Sequence, residues 1–196
     1  MAHGLPTIVN RHSKMCGPGP HRTVPSPGNA PTFIDLPRGQ GILYRMIQGV
    51  QLKALRRIPD ERGMVMEILR SDEELFEKFG QVYLSVVYPG VVKGWHSHRI
   101  QTDHFAIIRG MAKVVLYDDR ANSPTRGEVV ELFIGDQNPQ LVKIPPGVLH
   151  GMKGVGTEPA FMVNIPTEPY NREAPDEIRR APDDPSVPYD WKLKEG

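Results

Sequence analysis

Residues 94–105 of the chain read GWHSHRIQTDHF and place three histidines and one aspartate within twelve residues. In an extended strand, side chains two positions apart share one face, so His96 and His98 point the same way, while Trp95 and Ser97 point the other way. If the shared face is the interior of a barrel, two imidazoles reach one cavity. These side chains are therefore candidates for metal ligands, catalytic groups or ordinary residues of a barrel wall.

A further histidine comes from a distant part of the chain. The stretch IPPGVLHG, residues 144–151, predicts a turn followed by a strand that carries His150. Two histidines at i and i+2, then an acidic residue, then Pro-x-Gly-x-x-His form a two-part pattern that resembles the cupin superfamily. Asp103 stands where that superfamily has Glu, and Gly110 closes the first part of the motif. The resemblance implies an all-β fold, a small jelly-roll β-barrel with its site inside.

Length and composition favour one domain with terminal extensions. The chain has 196 residues, and its 24 basic and 23 acidic side chains nearly balance, which argues against nucleic acid as a partner. A single cysteine, Cys16, excludes an intrachain disulfide framework and favours a reducing compartment. The sequence contains neither a run of about eighteen apolar residues nor an apolar signal core. We therefore expect a cytoplasmic protein that does not interact with a membrane.

The chain divides into a Pro/Gly-rich segment and a strand-rich body. Residues 1–40 lack a sustained hydrophobic period, which predicts an extended arm or a disordered tail. Residues 41–196 are the predicted single cupin domain, including a charged C-terminal tail at 171–196. Many short β-branched and aromatic runs bounded by turn residues predict antiparallel strands. They are QLKALRRI, MVMEILR, QVYLSVVY, HFAIIRG, AKVVLYDD, EVVELFIG, QLVKIP and AFMVNIP.

The stretch SDEELFEKFG, residues 71–80, is the one predicted helix. Ser71 is a favourable N-cap, Glu74 completes a capping box three residues later, and Gly80 is suited to the C-terminal end. We expect this short helix to cover the barrel and to take no part in the site.

Five segments, in the same order, resemble the family of dTDP-4-dehydrorhamnose 3,5-epimerases, a cupin branch that acts on nucleotide sugars without a metal. The resemblance covers about residues 50–191 and rests on IPDERGMVME, QVYLSVVYPGVVKGWH, YDDRANSPTRG, NPQLVKIPPGVLHGM and APDDPSVPYDW. It implies inversion of carbons next to a keto group. A base removes the C–H proton, an enolate forms, and a proton returns from the other face.

The resemblance assigns roles to the residues at matched positions. His96 is the base, Asp184 holds its tautomer, and Lys93, where the family has Arg, stabilises the enolate oxygen. His150 lines the same pocket. The resemblance also implies a homodimer with exchanged edge strands, across which part of the nucleotide is bound. The implied substrate-binding residues are Arg62, Glu67, Gln81, Ser85 and Arg120.

Several positions depart from the family pattern. The family's tyrosine acid aligns with Val163, which leaves Tyr170, His98 or solvent as the acid. The absence of that tyrosine predicts inversion at one carbon only, or a ketoisomerase, in place of strict 3,5-epimerisation. Tyr83 replaces an expected Asn. His98 and Asp103 stand where the family has Gln and Lys, so both changes are toward metal ligation.

Three functions remain open from the residues. The leading one is an isomerase that acts on a nucleotide-linked 4-keto-6-deoxyhexose and needs no cofactor. The alternative is a metal-dependent lyase, cyclase or dioxygenase in which His96, His98, Asp103 and His150 hold one divalent ion, Zn, Fe, Ni, Mn or Co. A catalytically silent sugar-binding protein is the third. Because His104 is adjacent to Asp103, we expect it to face outward at the surface.

Overall fold

The computed structural model of the protein describes residues 46–194, and the statements below concern these residues. The predicted arm at residues 1–40 lies outside the described residues, so it stays a prediction, as does the start of the cupin domain at residue 41. Since residues 46–194 form no long apolar helix, they contain no candidate helical span for a membrane.

The described residues form twelve β-strands and no helix. Most strands are short and are separated by glycine-, proline- or asparagine-containing turns, as the sequence pattern predicts. In chain order they are β1 Gln51–Ala54, β2 Arg57–Asp60, β3 Gly63–Met66, β4 Tyr83–Val87, β5 Val92–His98, β6 Asp103–Arg109, β7 Met111–Asp118, β8 Val129–Gly135, β9 Gln140–Ile144, β10 Val148–Val155, β11 Ala160–Asn164 and β12 Glu177–Arg179.

Two five-stranded antiparallel sheets build the predicted cupin jelly roll. The first sheet has the order β1-β9-β6-β11-β4, and the second has the order β12-β5-β10-β7-β8. Strands β2 and β3 form a separate hairpin. The inner faces of both sheets contribute to one apolar core, with Phe105 and Met162 from the first sheet packed in the same cluster as Leu116 and Met152 from the second. The all-β prediction is confirmed.

The C-terminal tail packs on the outer face of the second sheet. Trp95 points away from the barrel interior, as the alternation in β5 predicts, and clusters with Val187 and Trp191 of the tail. The indole Nε1 of Trp95 donates to the carbonyl of Pro182 at 3.3 Å. The tail is therefore held against the strand that carries His96.

The covering helix predicted at residues 71–80 is wrong, because this segment consists of turns and irregular backbone. Leu75 packs in an apolar cluster on the outer face of the first sheet, and its carbonyl contacts Nε2 of His104 at 3.0 Å. Lys53 of β1 binds Glu73 at 2.6 Å. These tertiary contacts outweigh a helix propensity that contributes only a few tenths of a kcal/mol per residue. The segment also covers His104, which is fully buried and not at the surface as expected.

Candidate functional site

His96, His98, Asp103 and His150 converge inside the barrel, and we call them the histidine–aspartate cluster. One ligand atom from each residue lies within 4.8 Å of the corresponding atoms of the other three. Strands β5 and β10 pair so that His96 is directly opposite His150, and the two ring centroids are 4.0 Å apart. Asp103, at the start of β6, approaches from the other sheet. Two distant stretches of the chain therefore bring imidazoles into one cluster, in which His96 and His98 line the cavities described below and His150 lies buried behind them.

A bulge in β5 brings a cationic side chain, Lys93, to the same side of the strand as His96. Lys93 is opposite Met152 and His96 is opposite His150, so three steps along β5 match two steps along β10. The extra residue changes the alternation of faces, and Lys93 lines a cavity together with His96. Its Nζ donates to Oγ of Ser85 on β4 at 3.0 Å. The cation predicted to stabilise an enolate is therefore beside the cluster.

Two cavities border the cluster and share His96, Tyr83, Glu177 and Arg179 among their lining residues. The first has a volume of about 750 Å³ and the second about 370 Å³. Cavities of this size accommodate small organic ligands and the sugar portion of larger ones. The site is therefore a ligand pocket that opens between the two sheets at the β4–β5 side.

Two sets of partners hold the carboxylate of Asp103. Its Oδ1 accepts hydrogen bonds from Gln101 Nε2 at 2.8 Å and from Asn164 Nδ2 at 2.7 Å. Its Oδ2 lies 3.2 Å from Nε2 of His150 and 3.3 Å from Nε2 of His98. Burial alone raises the pKa of Asp103, but these imidazoles outweigh that effect and hold its pKa below the usual range. Asp103 is a buried anion.

The neighbouring histidines are shifted in opposite directions. Burial lowers the pKa of His96 well below its usual value, and the adjacent His150 lowers it further. For His98, burial also disfavours the charged form, but the hydrogen bond and charge of Asp103 prevail and raise its pKa. At neutral pH His96 is therefore an uncharged imidazole that can accept a proton. Two titratable groups with separated pKa values are an arrangement typical of acid–base sites.

The side chain of His150 is oriented as a metal ligand would be. Its Nδ1 lies 2.9 Å from the carbonyl oxygen of Val148, and because that oxygen only accepts, Nδ1 carries a proton. Its buried Nε2 lies 3.2 Å from Oδ2 of Asp103 and, when unprotonated, has no hydrogen-bond donor among residues 46–194. This nitrogen faces Oδ2 of Asp103, and two acceptors repel unless a proton or a cation lies between them. The four residues of the cluster therefore fit a divalent ion.

Several other predicted residues line the two cavities. Gln81 and Tyr170 line the larger cavity, and Ser85 and Lys93 line the smaller one. Tyr170 is 55% exposed, which puts it at the rim and not beside the cluster.

Two predicted site residues are engaged elsewhere. The carboxylate of Asp184 accepts hydrogen bonds from the backbone N and the Oγ of Ser186, and it lines neither cavity. A local turn takes up this carboxylate in the structure, so the expected pairing of Asp184 with His96 stays a prediction. The guanidinium of Arg120 binds Asp118 at 2.8 Å and borders a third cavity, which shares His98 with the larger one. The predicted role of Arg120 in substrate binding stays a prediction.

The hairpin residues also lie apart from the cavities. The guanidinium of Arg62 binds Asp60 at 2.6 Å, and its side chain is 85% exposed. Glu67 contacts Arg70 at 3.3 Å and is also exposed. Within one chain, neither residue reaches the histidine–aspartate cluster, so their role across a dimer interface stays a prediction.

The structure adds residues that the sequence interpretation missed. Tyr83 lines both cavities, and its spacing of two residues from Ser85 along β4 was a signal that would have identified it. Strand β12 pairs with β5 so that Arg179 is opposite His96 and Glu177 is opposite His98. These two residues come from a charged tail whose composition gives no local sign of a strand.

Comparison with known proteins gives consistent matches. A family model described as the polysaccharide biosynthesis C-terminal domain matches residues 58–178. The chain is 42% identical over 149 residues to the spore coat polysaccharide biosynthesis protein SpsL of Bacillus subtilis, covering 76% of this chain and 99% of that protein. It is 43% identical over 150 residues to the probable low-salt glycan biosynthesis epimerase Agl13 of Haloferax volcanii, covering 76% and 96%.

Solved structures agree with these matches. The crystal structure of a dTDP sugar isomerase from Desulfovibrio desulfuricans superposes with a TM-score of 0.71 at 38% identity, covering 74% of this chain and 92% of that one. Proteins named dTDP-4-dehydrorhamnose 3,5-epimerase are also among the matching sequences and structures. The resemblance predicted from the five sequence segments is thereby confirmed.

Proposed function

Because the chain belongs to the polysaccharide biosynthesis C-terminal domain family, and its relatives include sugar epimerases, we propose that it is a nucleotide-sugar epimerase. The proposed substrate is a 4-keto-6-deoxyhexose linked to a nucleoside diphosphate. The observation that carries the proposal is the uncharged imidazole of His96, which faces a cavity large enough for a hexose.

His96 is the proposed base. A C–H bond next to a carbonyl is weakly acidic, and its proton moves to a neutral imidazole within hydrogen-bond reach. The negative charge then moves to the keto oxygen, and the Lys93 ammonium, held by Ser85 at 3.0 Å, is positioned to stabilise it. Asp103 supplies a fixed negative charge that favours the imidazolium formed on His96. In this role Asp103 replaces the predicted Asp184.

The rim of the larger cavity supports the nucleotide part of the proposal. Arg172 and Arg179 line it, and guanidinium groups bind diphosphates through paired N–H donors. Solved relatives include complexes with dTDP and with a dTDP-sugar. We therefore propose that the sugar occupies the inner part of the cavity and the diphosphate lies near these arginines.

A second proposal is that the histidine–aspartate cluster holds one divalent ion. The Nε2 of His150, which has no hydrogen-bond donor among residues 46–194 when unprotonated, and the donor set of three imidazoles and one carboxylate support it. When bound, such an ion polarises a carbonyl or carboxylate oxygen, which suits a metal-dependent epimerase, lyase, cyclase or dioxygenase. In that state the chain's own contribution is orientation, because the carbonyl of Val148 fixes the ring of His150.

Proton exchange tests the epimerase proposal. The probe is dTDP-4-keto-6-deoxyglucose in deuterated water, followed by proton NMR at C3 and C5. We expect exchange with the wild type and a loss of at least about 100-fold in His96→Gln, the range that one acid–base group contributes. Absence of exchange in the wild-type protein would reject the proposed activity on this substrate.

Metal content separates the two proposals. Protein purified without a metal-affinity column is analysed for Zn, Fe, Ni, Mn and Co, and its thermal midpoint is compared before and after dialysis against a chelator. The metal proposal predicts about one equivalent per chain and a lower midpoint after chelation, because an ion that binds only the folded state stabilises it. Metal below about a tenth of an equivalent and an unchanged thermal midpoint would reject the metal proposal and leave the proposal of a metal-free epimerase standing.

We also propose that the protein is a homodimer. Strand β4 is at the edge of its sheet, and Val82 and Leu84 expose more than half of their surface. Paired edge strands remove the hazard of an open sheet edge. A cytoplasmic location remains an expectation from the single cysteine.

A further inference from the structure

Tyr83 faces His96 from the opposite sheet. It begins β4, an edge strand of the first sheet, whereas His96 lies on β5 of the second sheet. Both side chains line both cavities. A sugar bound between the sheets therefore has an imidazole on one side and a phenol on the other.

The hydroxyl of Tyr83 has its own proton available. Nδ2 of Asn164 donates to the phenolic oxygen at 3.0 Å, and because an amide nitrogen only donates, this bond does not use the phenolic hydrogen. Within residues 46–194, no acceptor for the phenolic O–H is found among the hydrogen bonds of Tyr83. The free O–H is thus left to a ligand or to solvent in the cavity.

Asn164 anchors the hydroxyl of Tyr83, a residue that is 41% exposed. Asn164 itself is fully buried, its Nδ2 also donates to Oδ1 of Asp103 at 2.7 Å, and its Oδ1 accepts from the backbone N of His104 at 3.0 Å. These contacts fix which end of the amide points to Tyr83. The same asparagine therefore links the phenol to the histidine–aspartate cluster, and the orientation of both is set by one buried group.

The charge state of Tyr83 is that of a proton donor. Burial raises the pKa of the phenol, the hydrogen bond from Asn164 opposes this, and the carboxylates of Asp103 and Glu177 raise it further. The phenol therefore keeps its proton at neutral pH. A group of this kind gives up its proton only to a strong acceptor, such as the carbon of an enolate.

Inversion of a carbon needs a second group opposite the base, and β11 does not supply one. Val163 is paired with Leu84 and lies on the outer face, whereas the inward-facing residues Met162 and Asn164 carry no acidic proton. Tyr170 is at the exposed rim. Among the described residues that line both cavities, Tyr83 is the one with a neutral O–H donor.

We propose that Tyr83 is the proton donor of the epimerisation, and this inference rests on the proposed epimerase function. His96 takes the proton from the substrate carbon as the C–H bond breaks and the enolate forms. The Tyr83 O–H bond then breaks, its proton forms a new C–H bond on the opposite face, and the enolate returns to the ketone. The tyrosinate and the imidazolium regain their starting states by proton transfer through cavity solvent, so no other reactant is consumed.

Removal of the hydroxyl tests the inference. Tyr83→Phe is compared with wild type and with Tyr88→Phe, a matched control, because Tyr88 is 66% exposed and lines neither cavity. The probe is dTDP-4-keto-6-deoxyglucose in deuterated water, with two readouts by NMR: deuterium at the acidic carbon and the amount of inverted product. Circular dichroism and the thermal midpoint verify that each variant is folded.

The two readouts are expected to separate. In Tyr83→Phe the inverted product falls by at least about 100-fold, whereas deuterium exchange falls less than about fivefold, because His96 still removes and returns a proton on its own face. Tyr83→Asn, which also removes the phenol, is expected to show the same separation. Tyr88→Phe retains both activities.

Each contrary result has a distinct meaning. Inversion in Tyr83→Phe at the wild-type rate would overturn Tyr83 as the donor and leave the epimerase proposal intact. Equal loss of exchange and inversion in folded Tyr83→Phe and Tyr83→Asn would also overturn it, because the phenol would then serve to bind substrate. No exchange in the wild type would reject the epimerase proposal, and the role of Tyr83 with it.

Discussion

The uncharged state of His96 determines how the proposed reaction depends on pH. Burial and the neighbouring His150 lower the pKa of His96, so the imidazole stays unprotonated at pH values where an exposed histidine already carries a charge. Asp103 opposes this shift but does not cancel it. The base is therefore available across neutral and mildly acidic conditions.

A pH profile of proton exchange checks this state. Because the folded pKa lies below the ordinary value of about 6.5, kcat/KM for exchange should remain level from pH 8 to about pH 6 and fall only in more acidic buffer. The measurement is NMR exchange between pH 4.5 and 8, with circular dichroism at each pH as the folding control. An acidic limb centred at or above about pH 6.5 would contradict the lowered pKa of His96.

Asp118 provides a second test at the scale of single residues. Its fully buried carboxylate accepts hydrogen bonds from Arg120, Ser123 and Thr125. Burial raises its pKa, but these donors outweigh it and hold the pKa below the usual range. Because the folded pKa is below the unfolded value of about 3.9, the stabilisation is present above pH 4 and is lost as the pH falls through the folded pKa.

Asp118→Asn should therefore lower the free energy of unfolding by about 2–4 kcal/mol at pH 7, because Arg120, Ser123 and Thr125 lose the buried carboxylate to which they donate. Urea unfolding at pH 7 and at pH 3 measures the effect, and the difference from wild type should be smaller at the lower pH. Asp119→Asn is the control, since Asp119 pairs with Arg180 in a partly exposed salt bridge and should cost less than about 1 kcal/mol. Similar costs for the two variants would contradict the analysis.

The residues in and around the histidine–aspartate cluster show what the sequence could and could not predict. The histidines of the cluster were predictable, because strand alternation puts His96 and His98 on one face and the second motif supplies His150. The local partners of Arg120 and Asp184 could not be predicted. Arg120 binds Asp118 and Asp184 binds Ser186, each two residues away, and motif matching does not weigh such local competition. Asp103 was predicted as a metal ligand. Its direct contacts with His98 and His150 could not be predicted, because they join residues of two different sheets.

At the scale of elements, the position of Lys93 depends on a bulge. Strict alternation would have put Lys93 on the face opposite His96, and the extra residue in β5 brings both to the cavity. The resemblance to a known family predicted this position correctly, whereas periodicity alone could not. Register irregularities of this kind depend on the partner strand, which a single-sequence pattern does not identify.

The segment at residues 71–80 offers an element-scale prediction. A Cβ on Gly80 would clash with the backbone of Glu168, so this glycine is required by the close approach of two backbone segments and not by a helix end. Gly80→Ala should destabilise the protein by about 1–3 kcal/mol, because the backbone must move apart. Ser71→Ala should change stability by less than about 0.5 kcal/mol, because the exposed Ser71 caps no helix.

Urea unfolding of the two variants distinguishes the structure from the predicted helix. If residues 71–80 formed a capped helix, loss of the cap in Ser71→Ala would cost about 1 kcal/mol. Gly80→Ala would then act at the helix end. The structure predicts the opposite order of effects, so a larger cost for Ser71→Ala than for Gly80→Ala would contradict it.

At the scale of the whole molecule, one face of the first sheet is unusually apolar. Leu84 and Val86 point outward from β4 and are opposite Val163 and Phe161 of β11, and the exposed Val82 directly precedes β4. We call these five residues the outer apolar face. Single exposed apolar residues are common on monomers, but a contiguous group at a sheet edge is typical of an interface between proteins. Val163, the position aligned with the family's tyrosine, belongs to this face and not to the cavity.

Burial of the outer apolar face against a second copy of the chain accounts for the proposed homodimer. Light scattering during size-exclusion chromatography should give the mass of two chains, and Leu84→Glu should shift it toward one, because an unpaired carboxylate is costly to bury. Leu193→Glu is the matched control, since Leu193 is 73% exposed and lies apart from this face, so it should leave the mass unchanged. A wild-type monomer, or a Leu84→Glu variant that remains dimeric, would show that this face does not form the dimer. In that case a dimer formed through this face could not bring the exposed Arg62 of one protomer to the cavity of its partner.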